Sequence, residues 1–157
     1  MPNLQKITPM LWFDGTALDA ARFYTSIFNN SRIIGTTHYS ENMHAAAGTV
    51  MTAVFELDGH QFTALNGGPG FKFNESISMV ISCKAQAEVD YFWDKLTSEG
   101  GQPVQCGWLK DKFGLCWQVV PDELWPLIAG PKSGAVMQAV MQMVKLDIAK
   151  LKAAAGQ

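Results

Sequence analysis

Cysteine is scarce in this chain of 157 residues, and its 3 copies form no recognisable motif. Cys83, Cys106 and Cys116 are odd in number, and their spacings of 23 and 10 residues fit neither a CxxC redox motif nor a zinc finger. An unpaired cysteine usually packs as a small apolar side chain. We therefore predict three free thiols with structural roles.

Clusters of positive charge and long apolar runs are also missing. The 12 Lys and Arg against 14 Asp and Glu give a formal net charge of -2, which argues against nucleic acid as a partner. Residues 1–11 hold one lysine and no apolar run long enough for a signal peptide or a membrane span. We expect a cytoplasmic protein that binds small molecules or proteins, with no nucleic acid and no membrane among its partners.

An internal duplication is the main feature that the chain does have. Predicted strands at 7–13 and 77–83 each lead into an amphipathic helix, and the aromatic pairs Phe23-Tyr24 and Phe92-Trp93 hold matching places in the two helices. The length favours a single domain, 1–157. Because two copies of one unit can enclose a cleft, the pattern predicts an α+β fold with a ligand cleft.

The first copy, 5–66, is expected to be a β-α-β-β-β module. Strands are predicted at 7–13, 32–39, 49–57 and 60–65, with a helix that ends near Asn29. Thr16 and Asp19 resemble a capping box at the start of this helix. Asp58-Gly59 is typical of a tight hairpin turn.

The second copy, 75–121, follows a glycine-rich linker at 67–74. Strands are predicted at 76–83, 104–109 and 115–120, with a helix at 85–98. The distance from Lys84 to Gly114 is 30 residues, against 45 from Asp14 to Gly59 in the first copy. We therefore expect the second copy to have lost a loop, and the loss of a strand is an open alternative.

The remaining segment, 122–157, is expected to be a helical extension. Apolar residues recur every three or four positions from Val136 to Leu151. Its methionines, Met137, Met141 and Met143, suit adaptable packing against the chain's own sheet or against a second subunit. Such an apolar tail is compatible with a homodimer.

Several separated motifs in this order resemble one known family. They are Asp58-Gly59-x-x-Phe62, Leu65-Asn66-Gly67-Gly68, Cys106-Gly107-Trp108, Asp111-x-Phe113-Gly114-x-x-Trp117-Gln118 and Met141-x-Met143-x-Lys145-Leu146-Asp147-Ile148. With the tandem β-α-β-β-β modules, they make the chain similar to the vicinal oxygen chelate superfamily, which includes glyoxalase I, extradiol dioxygenases and bleomycin-resistance proteins. Within it, the chain resembles the PhnB-like branch, often labelled 3-demethylubiquinone methyltransferase-like. The resemblance also implies a homodimer.

In metal-using relatives, the resemblance implies ligands from the first and last strand of each module, typically His and Glu. The first-strand positions fall at or beside Ile7 and Ile77, and the last-strand positions fall on Thr63 and Gln118. One neutral amide cannot hold a catalytic divalent cation alone. We expect no metal and no other cofactor, and the alternative is a metal held by Gln118 and Glu56 with ligands not yet recognised.

The methyltransferase label is not supported by a motif for S-adenosylmethionine. The glycine-rich segment Gly67–Gly70 is followed by a predicted strand, not by a helix whose N-terminus could bind an anion. A methyltransferase activity is therefore not expected, and whether the chain is an enzyme at all is left open.

The predicted cleft has aromatic walls and a few amides. Its candidate ligand-binding residues are Gln118, Thr63, Asn66, Trp12, Phe73, Trp108 and Trp117. Gln118 is the leading candidate, because a neutral polar residue at a ligand position of a buried strand must find a partner.

Three functions are compatible with this pattern. The first is a metal-free cleft that binds a small molecule, with the reaction unknown. The second is a metal-dependent enzyme of the glyoxalase or dioxygenase type. The third is a resistance-type protein that sequesters a drug, for which stacking on Trp108 and Trp117 is suitable.

Overall fold

The first copy of the repeat is a four-stranded mixed sheet with one helix. The structure is a computed structural model that describes residues 5–157. Its first elements are β1 (Met10–Phe13), α1 (Ala17–Ile27), β2 (Arg32–His38), β3 (Val50–Leu57) and β4 (His60–Asn66). The strand order is β1-β4-β3-β2, in which β1 is parallel to β4 and the other neighbours are antiparallel. The predicted β-α-β-β-β module is confirmed.

Alternation along β3 explains why α1 covers only one face of this sheet. Ala53, Phe55 and Leu57 are buried, whereas the residues that alternate with them are half-buried. The ring of Tyr24 in α1 stacks on Phe55 with 6.1 Å between centroids. Helix α1 therefore packs on the face of β3 that carries Phe55.

The start of α1 differs from the predicted capping box. Thr16 makes no side-chain capping bond. The backbone N–H of Ala17 instead donates a 2.9 Å hydrogen bond to Oδ1 of Asn66 at the end of β4. The capping-box prediction was wrong because an acceptor distant in sequence occupies the position that a local cap would take.

The second copy has the same strand order as the first. Its elements are β5 (Met79–Cys83), α2 (Gln86–Leu96), a 3₁₀ turn (Ser98–Gly100), β6 (Gln102–Pro103), β7 (Trp108–Lys110) and β8 (Cys116–Pro121). The order β5-β8-β7-β6 repeats that of the first sheet. No strand has been lost, because the two residues of β6 pair with β7 as an edge strand. The prediction of a single strand at 104–109 was wrong.

A turn explains the break between β6 and β7. The N–H of Val104 donates to the carbonyl of Trp108, and that of Trp108 donates to the carbonyl of Gln105. Cys106 and Gly107 both have positive φ, 62° and 82°. The chain reverses there and cannot continue as one strand.

The C-terminal extension consists of three helices, α3 (Leu124–Ala129), α4 (Ser133–Met141) and α5 (Ile148–Ala154). Its buried residues form a core with Val120 of β8, and they include Val136, Val140, Leu146 and Leu151. The N–H groups of Cys106 and Gly107 also donate to the carbonyls of residues 143 and 144. The predicted helical extension is confirmed as an integral part of the second half of the chain.

The chain divides into two compact units, one that ends at Lys72 and one that comprises Phe73–Gln157. The division falls inside the predicted linker, 67–74. Within residues 5–157, no helix has the length and apolar character needed to cross a membrane.

Candidate functional site

Thr63 lies on the face of the first sheet that α1 leaves uncovered. The register pairs Thr63 with Met10 of β1 and Val54 of β3, so these three side chains form a row. Because Ala53 and Phe55 face the helix, Val54 and its partners point to the other side. We call this row of Met10, Val54 and Thr63 the first open face.

Glu56 points to the same side of the sheet as the first open face, but its carboxylate is already bonded to Arg32. Glu56 lies opposite Arg32 and Gln61 in the sheet, two residues beyond Val54 and therefore on the same side of β3. Nε of Arg32 donates a 3.0 Å hydrogen bond to Oε2 of Glu56. A guanidinium therefore competes with any metal ion for this carboxylate.

Gln118 lies on the corresponding face of the second sheet. In the register it neighbours Val80 and Trp108, while the adjacent residues Trp117 and Val119 are buried on the opposite side of the strand. Nε2 of Gln118 donates a 2.9 Å hydrogen bond to the hydroxyl of Ser78. We call the group of Ser78, Val80, Trp108 and Gln118 the second open face.

Trp117 does not share that face with Gln118. Its side chain is 3% exposed, and its indole N–H donates a 2.9 Å hydrogen bond to Oδ2 of the buried Asp111. Consecutive residues of a strand point to opposite faces, so Trp117 lies in the buried core on the other side of β8 from Gln118. The prediction that Trp117 lines a ligand site beside Gln118 does not fit this placement.

Trp12 is packed under the glycine-rich segment. Its indole N–H donates a 2.8 Å hydrogen bond to the carbonyl of Gly68, and its ring meets Phe71 edge-on at 4.9 Å between centroids. A Cβ atom on Gly67 would lie only 2.3 Å from the indole ring. Gly67 is therefore required by the close approach of Trp12.

Asn66 ties three parts of the first unit together. Besides capping α1 through Oδ1, it donates from Nδ2 to the carbonyl of Val50 at 3.0 Å. Its own carbonyl accepts a hydrogen bond from the hydroxyl of Tyr39. Both ends of the Asn66 amide are thus used within the protein.

Phe73, another predicted site residue, is half-buried in the second unit.

The side chains present do not fit the metal site of the metal-using relatives. Among residues 5–157, no three His, Cys, Asp or Glu side chains are grouped so that they could hold a metal ion. Ile7 and Ile77, at the first-strand positions, are 83% and 58% exposed. His38 and His60 are exposed, and His44 bonds the hydroxyl of Tyr39 at 3.0 Å. Gln118 and Glu56 offer a metal ion a single carboxylate, and that carboxylate is already bonded to Arg32.

The three cysteines are free thiols, as predicted. Burial raises the pKa of Cys83 to about 12, and nearby Glu88 and Asp122 add to the shift. Burial also raises the pKa of Cys116. Thiols held in this way are poor nucleophiles.

The duplicated sheets, each with its helix and open face, define the class of protein. The fold is that of the glyoxalase and bleomycin-resistance proteins, and the chain is a PhnB-like member of the vicinal oxygen chelate superfamily. A family model described as 3-demethylubiquinone-9 3-methyltransferase matches residues 5–120, and the chain belongs to this family. None of the curated proteins matches the chain.

Solved structures agree with this assignment. A PhnB protein from Bacillus cereus is 34% identical, with a TM-score of 0.68 over 74% of this chain and 99% of that chain. A Pseudomonas aeruginosa protein shares the fold at 19% identity and a TM-score of 0.61, covering 74% of this chain and 97% of that chain. The fosfomycin resistance protein FosX from Listeria monocytogenes does so at 10% identity and a TM-score of 0.51, covering 74% and 92%.

Proposed function

We propose that the chain binds a small organic molecule on the second open face, without a resident metal ion. The observation that carries this proposal is the pairing of Gln118 with Ser78, a neutral amide bonded to a neutral hydroxyl at 2.9 Å. Gln118 occupies the position where the resemblance places a carboxylate ligand of metal-using relatives. An uncharged pair there favours hydrogen bonding to a ligand over charge-driven coordination.

The surroundings of Gln118 suit an uncharged or weakly polar aromatic ligand. Trp108 is half-buried beside it and Val80 is 49% exposed, so the face offers an indole and an aliphatic surface. Lys110, further along β7, is paired with Glu75. Because that charge is balanced, Gln118 is the main polar group available to orient a ligand.

Metal content tests the metal-free part of the proposal. Purified, unchelated protein should contain far less than one equivalent of metal by elemental mass spectrometry, and added Mg, Mn, Fe, Ni or Zn should not raise its Tm. Gln118→Glu is the informative comparison, because it introduces a carboxylate at the ligand position. Near-stoichiometric metal in the wild type, or a metal-dependent rise in Tm that Gln118→Ala abolishes, would overturn the proposal.

A ligand screen tests the binding part. Small aromatic and amphipathic compounds should raise the Tm of the wild type, and both Gln118→Ala and Trp108→Ala should weaken the best binder by about tenfold, the loss expected for one hydrogen bond or stacking contact. Gln138→Ala, an exposed change in α4, is the matched control and should bind like wild type. Equal affinity in all four proteins would contradict the proposed site.

We further propose that the chain is not an S-adenosylmethionine-dependent methyltransferase, although its family carries that description. The first regular element after Gly67–Gly70 is the strand β5, so no helix N-terminus follows the glycines to receive an anionic group. S-adenosylmethionine should leave the Tm unchanged. A clear rise in Tm, accompanied by S-adenosylhomocysteine formation, would show the opposite.

Sequestration of a drug is a second candidate, favoured by the half-buried Trp108 on the second open face. An aromatic drug could stack on its indole without any chemical change. Incubation with bleomycin-type drugs followed by mass spectrometry separates the two functions: binding with unchanged drug supports sequestration, whereas a modified product supports an enzyme.

We also propose a cytoplasmic homodimer. Three free thiols suit a reducing compartment, and α4 exposes apolar side chains at Met137 and Met141 that a partner subunit would cover. Light scattering should report twice the monomer mass of 17.2 kDa. Met141→Lys should shift the protein toward the monomer, and a monomeric wild type would refute the dimer.

A further inference from the structure

A groove in the first unit is lined by none of the residues of the first open face. It has a volume of about 710 Å³, which falls in the range of small-molecule sites. Its walls are the turn between β1 and α1, the loop that follows β2, and the end of β4. Of the predicted ligand-binding residues, Asn66 lines the groove, whereas Thr63 and Gln118 do not. The function proposed above uses the second open face and none of these lining residues.

The floor of the groove is held in place by Tyr39, whose side chain is 3% exposed. Backbone bonds from Tyr39 to Thr49 and from Gly48 to Tyr39, at 2.9 and 2.8 Å, close the loop at its base. The Tyr39 hydroxyl reaches Asn66, which in turn holds the first turn of α1. The three walls are thus linked by hydrogen bonds, and the groove is preformed.

The same network fixes the proton on His44. Tyr39 has a single hydroxyl proton, and it donates that proton to the carbonyl of Asn66, since a carbonyl can only accept. The hydroxyl must therefore accept its 3.0 Å hydrogen bond from Nε2 of His44. In the neutral ring, Nδ1 is then left as an acceptor, as assigned from the hydrogen-bond network.

The charged side chains that line the groove are acidic. Asp14 and Asp19 are both exposed at its edge, and the lining includes no Lys or Arg. Arg22 approaches Asp19 only at 4.0 Å, with both side chains largely in solvent, so the pair is weak. The other walls are largely apolar, with Leu18, Val50 and Pro69 among them.

We infer that this groove is a binding site for a small organic ammonium ion with a compact apolar body. The carboxylates of Asp14 and Asp19 attract the ammonium group, and His44, also in the lining, offers a further acceptor at Nδ1. The apolar body rests against Leu18 and Val50. An anionic ligand of the same shape is repelled by the two carboxylates.

A charge series of one shape tests this inference. Benzylamine, benzyl alcohol and benzoate are titrated into ¹⁵N-labelled full-length protein, and amide shifts are followed by NMR. Benzylamine should bind and shift the amides of Leu18, Ala45 and Ala46, with an affinity at least about tenfold above that of benzyl alcohol. Benzoate should cause no saturable shift at these residues.

Two variants assign the site. The double variant Asp14→Asn, Asp19→Asn should lower benzylamine affinity about tenfold, while Asp94→Asn, which removes a carboxylate outside the groove lining, should not change it. Ala46→Phe fills the groove from an exposed loop position and should block binding without lowering the Tm. Equal binding of all three probes, or shifts confined to residues outside the groove, would overturn the inference.

Discussion

The indole N–H of Trp117 donates a 2.9 Å hydrogen bond to Oδ2 of Asp111 inside the second unit. Oδ1 of Asp111 accepts from the backbone N–H groups of Phe113 and Leu115, at 2.8 and 3.1 Å. One buried carboxylate thus fixes the turn that leads into β8 and, through it, the strand that carries Gln118.

Removal of this carboxylate should be among the most destabilising single changes in the second unit. Asp111→Ala leaves three donors without their acceptor, and we expect a loss of about 2–4 kcal/mol in the free energy of unfolding, measured by urea denaturation. Trp117→Phe removes the indole donor and part of the buried ring but should retain both backbone bonds to Oδ1 of Asp111. A midpoint for Asp111→Ala equal to that of the wild type would show that the turn forms without the carboxylate.

Gly67→Ala should displace the ring of Trp12. The new methyl group would lie 2.3 Å from the indole, so the ring must move and its bond to Gly68 must weaken. We expect a destabilisation of about 1–3 kcal/mol by thermal or urea unfolding. Gly70→Ala is the matched control, because nothing lies within 4 Å of its added Cβ atom. Equal effects of the two changes would contradict the close approach.

The attachment of the C-terminal extension should depend on Gln86. Its Nε2 donates to the carbonyl of Leu146 at 3.1 Å, and its Oε1 accepts from the N–H of Ile148 at 2.8 Å. Gln86→Ala should cost about 1–2 kcal/mol and increase hydrogen exchange across α5, measured by mass spectrometry. Exposed Gln138→Ala should leave exchange in α5 unchanged, and the hypothesis fails if the two variants behave alike.

The free energy of unfolding at alkaline pH should depend on the ionisation of the Cys83 thiol. Its pKa is raised by burial from 9.0 to about 12, so the unfolded chain loses the thiol proton at lower pH than the folded chain does. The stabilisation is complete below pH 9.0 and is lost as the pH rises toward about 12. The fall in unfolding free energy above pH 9.0 should be shallower in Cys83→Ala than in the wild type, and parallel curves would rule out this cause.

The sequence patterns were sufficient for the repeated fold because strands and turns there follow local rules. Asp58 and Gly59 have φ of 48° and 78°, as a two-residue hairpin turn requires. By contrast, β6 has only two residues, too few for any alternation to be visible. Its position could be predicted only by comparison with the corresponding strand, β2, of the first copy.

The apolar stripe from Val136 to Leu151 reads as continuous helix, yet the chain leaves helical geometry after Met141. The physical reason is non-local: the carbonyls of Met143 and Val144 accept hydrogen bonds from the turn at Cys106 and Gly107. Because Cys106 and Gly107 lie outside residues 136–151, the spacing of apolar residues within that segment could not predict the break in the helix.

Strand alternation decides which of the predicted site residues can face the same ligand. Gln118 and Trp117 were both expected to face a ligand, but adjacent strand residues cannot share a face. Asn66 was expected to contact a ligand; its amide caps α1 and holds β3, and the residue also lines the groove of the first unit. Tyr39 and His44 were missed as a pair, because their contact depends on how the loop after β2 closes.

Val120 and the three C-terminal helices share one hydrophobic core. The boundary of the family match therefore differs from the boundary of the unit that folds. The family model ends at residue 120, yet the hydrophobic partners of Val120 lie between Leu124 and Leu151. A fragment cut where the homology stops would leave apolar surface exposed to water and would tend to aggregate. The part of the chain that the family model matches is therefore not the smallest part of this chain that can be expected to fold.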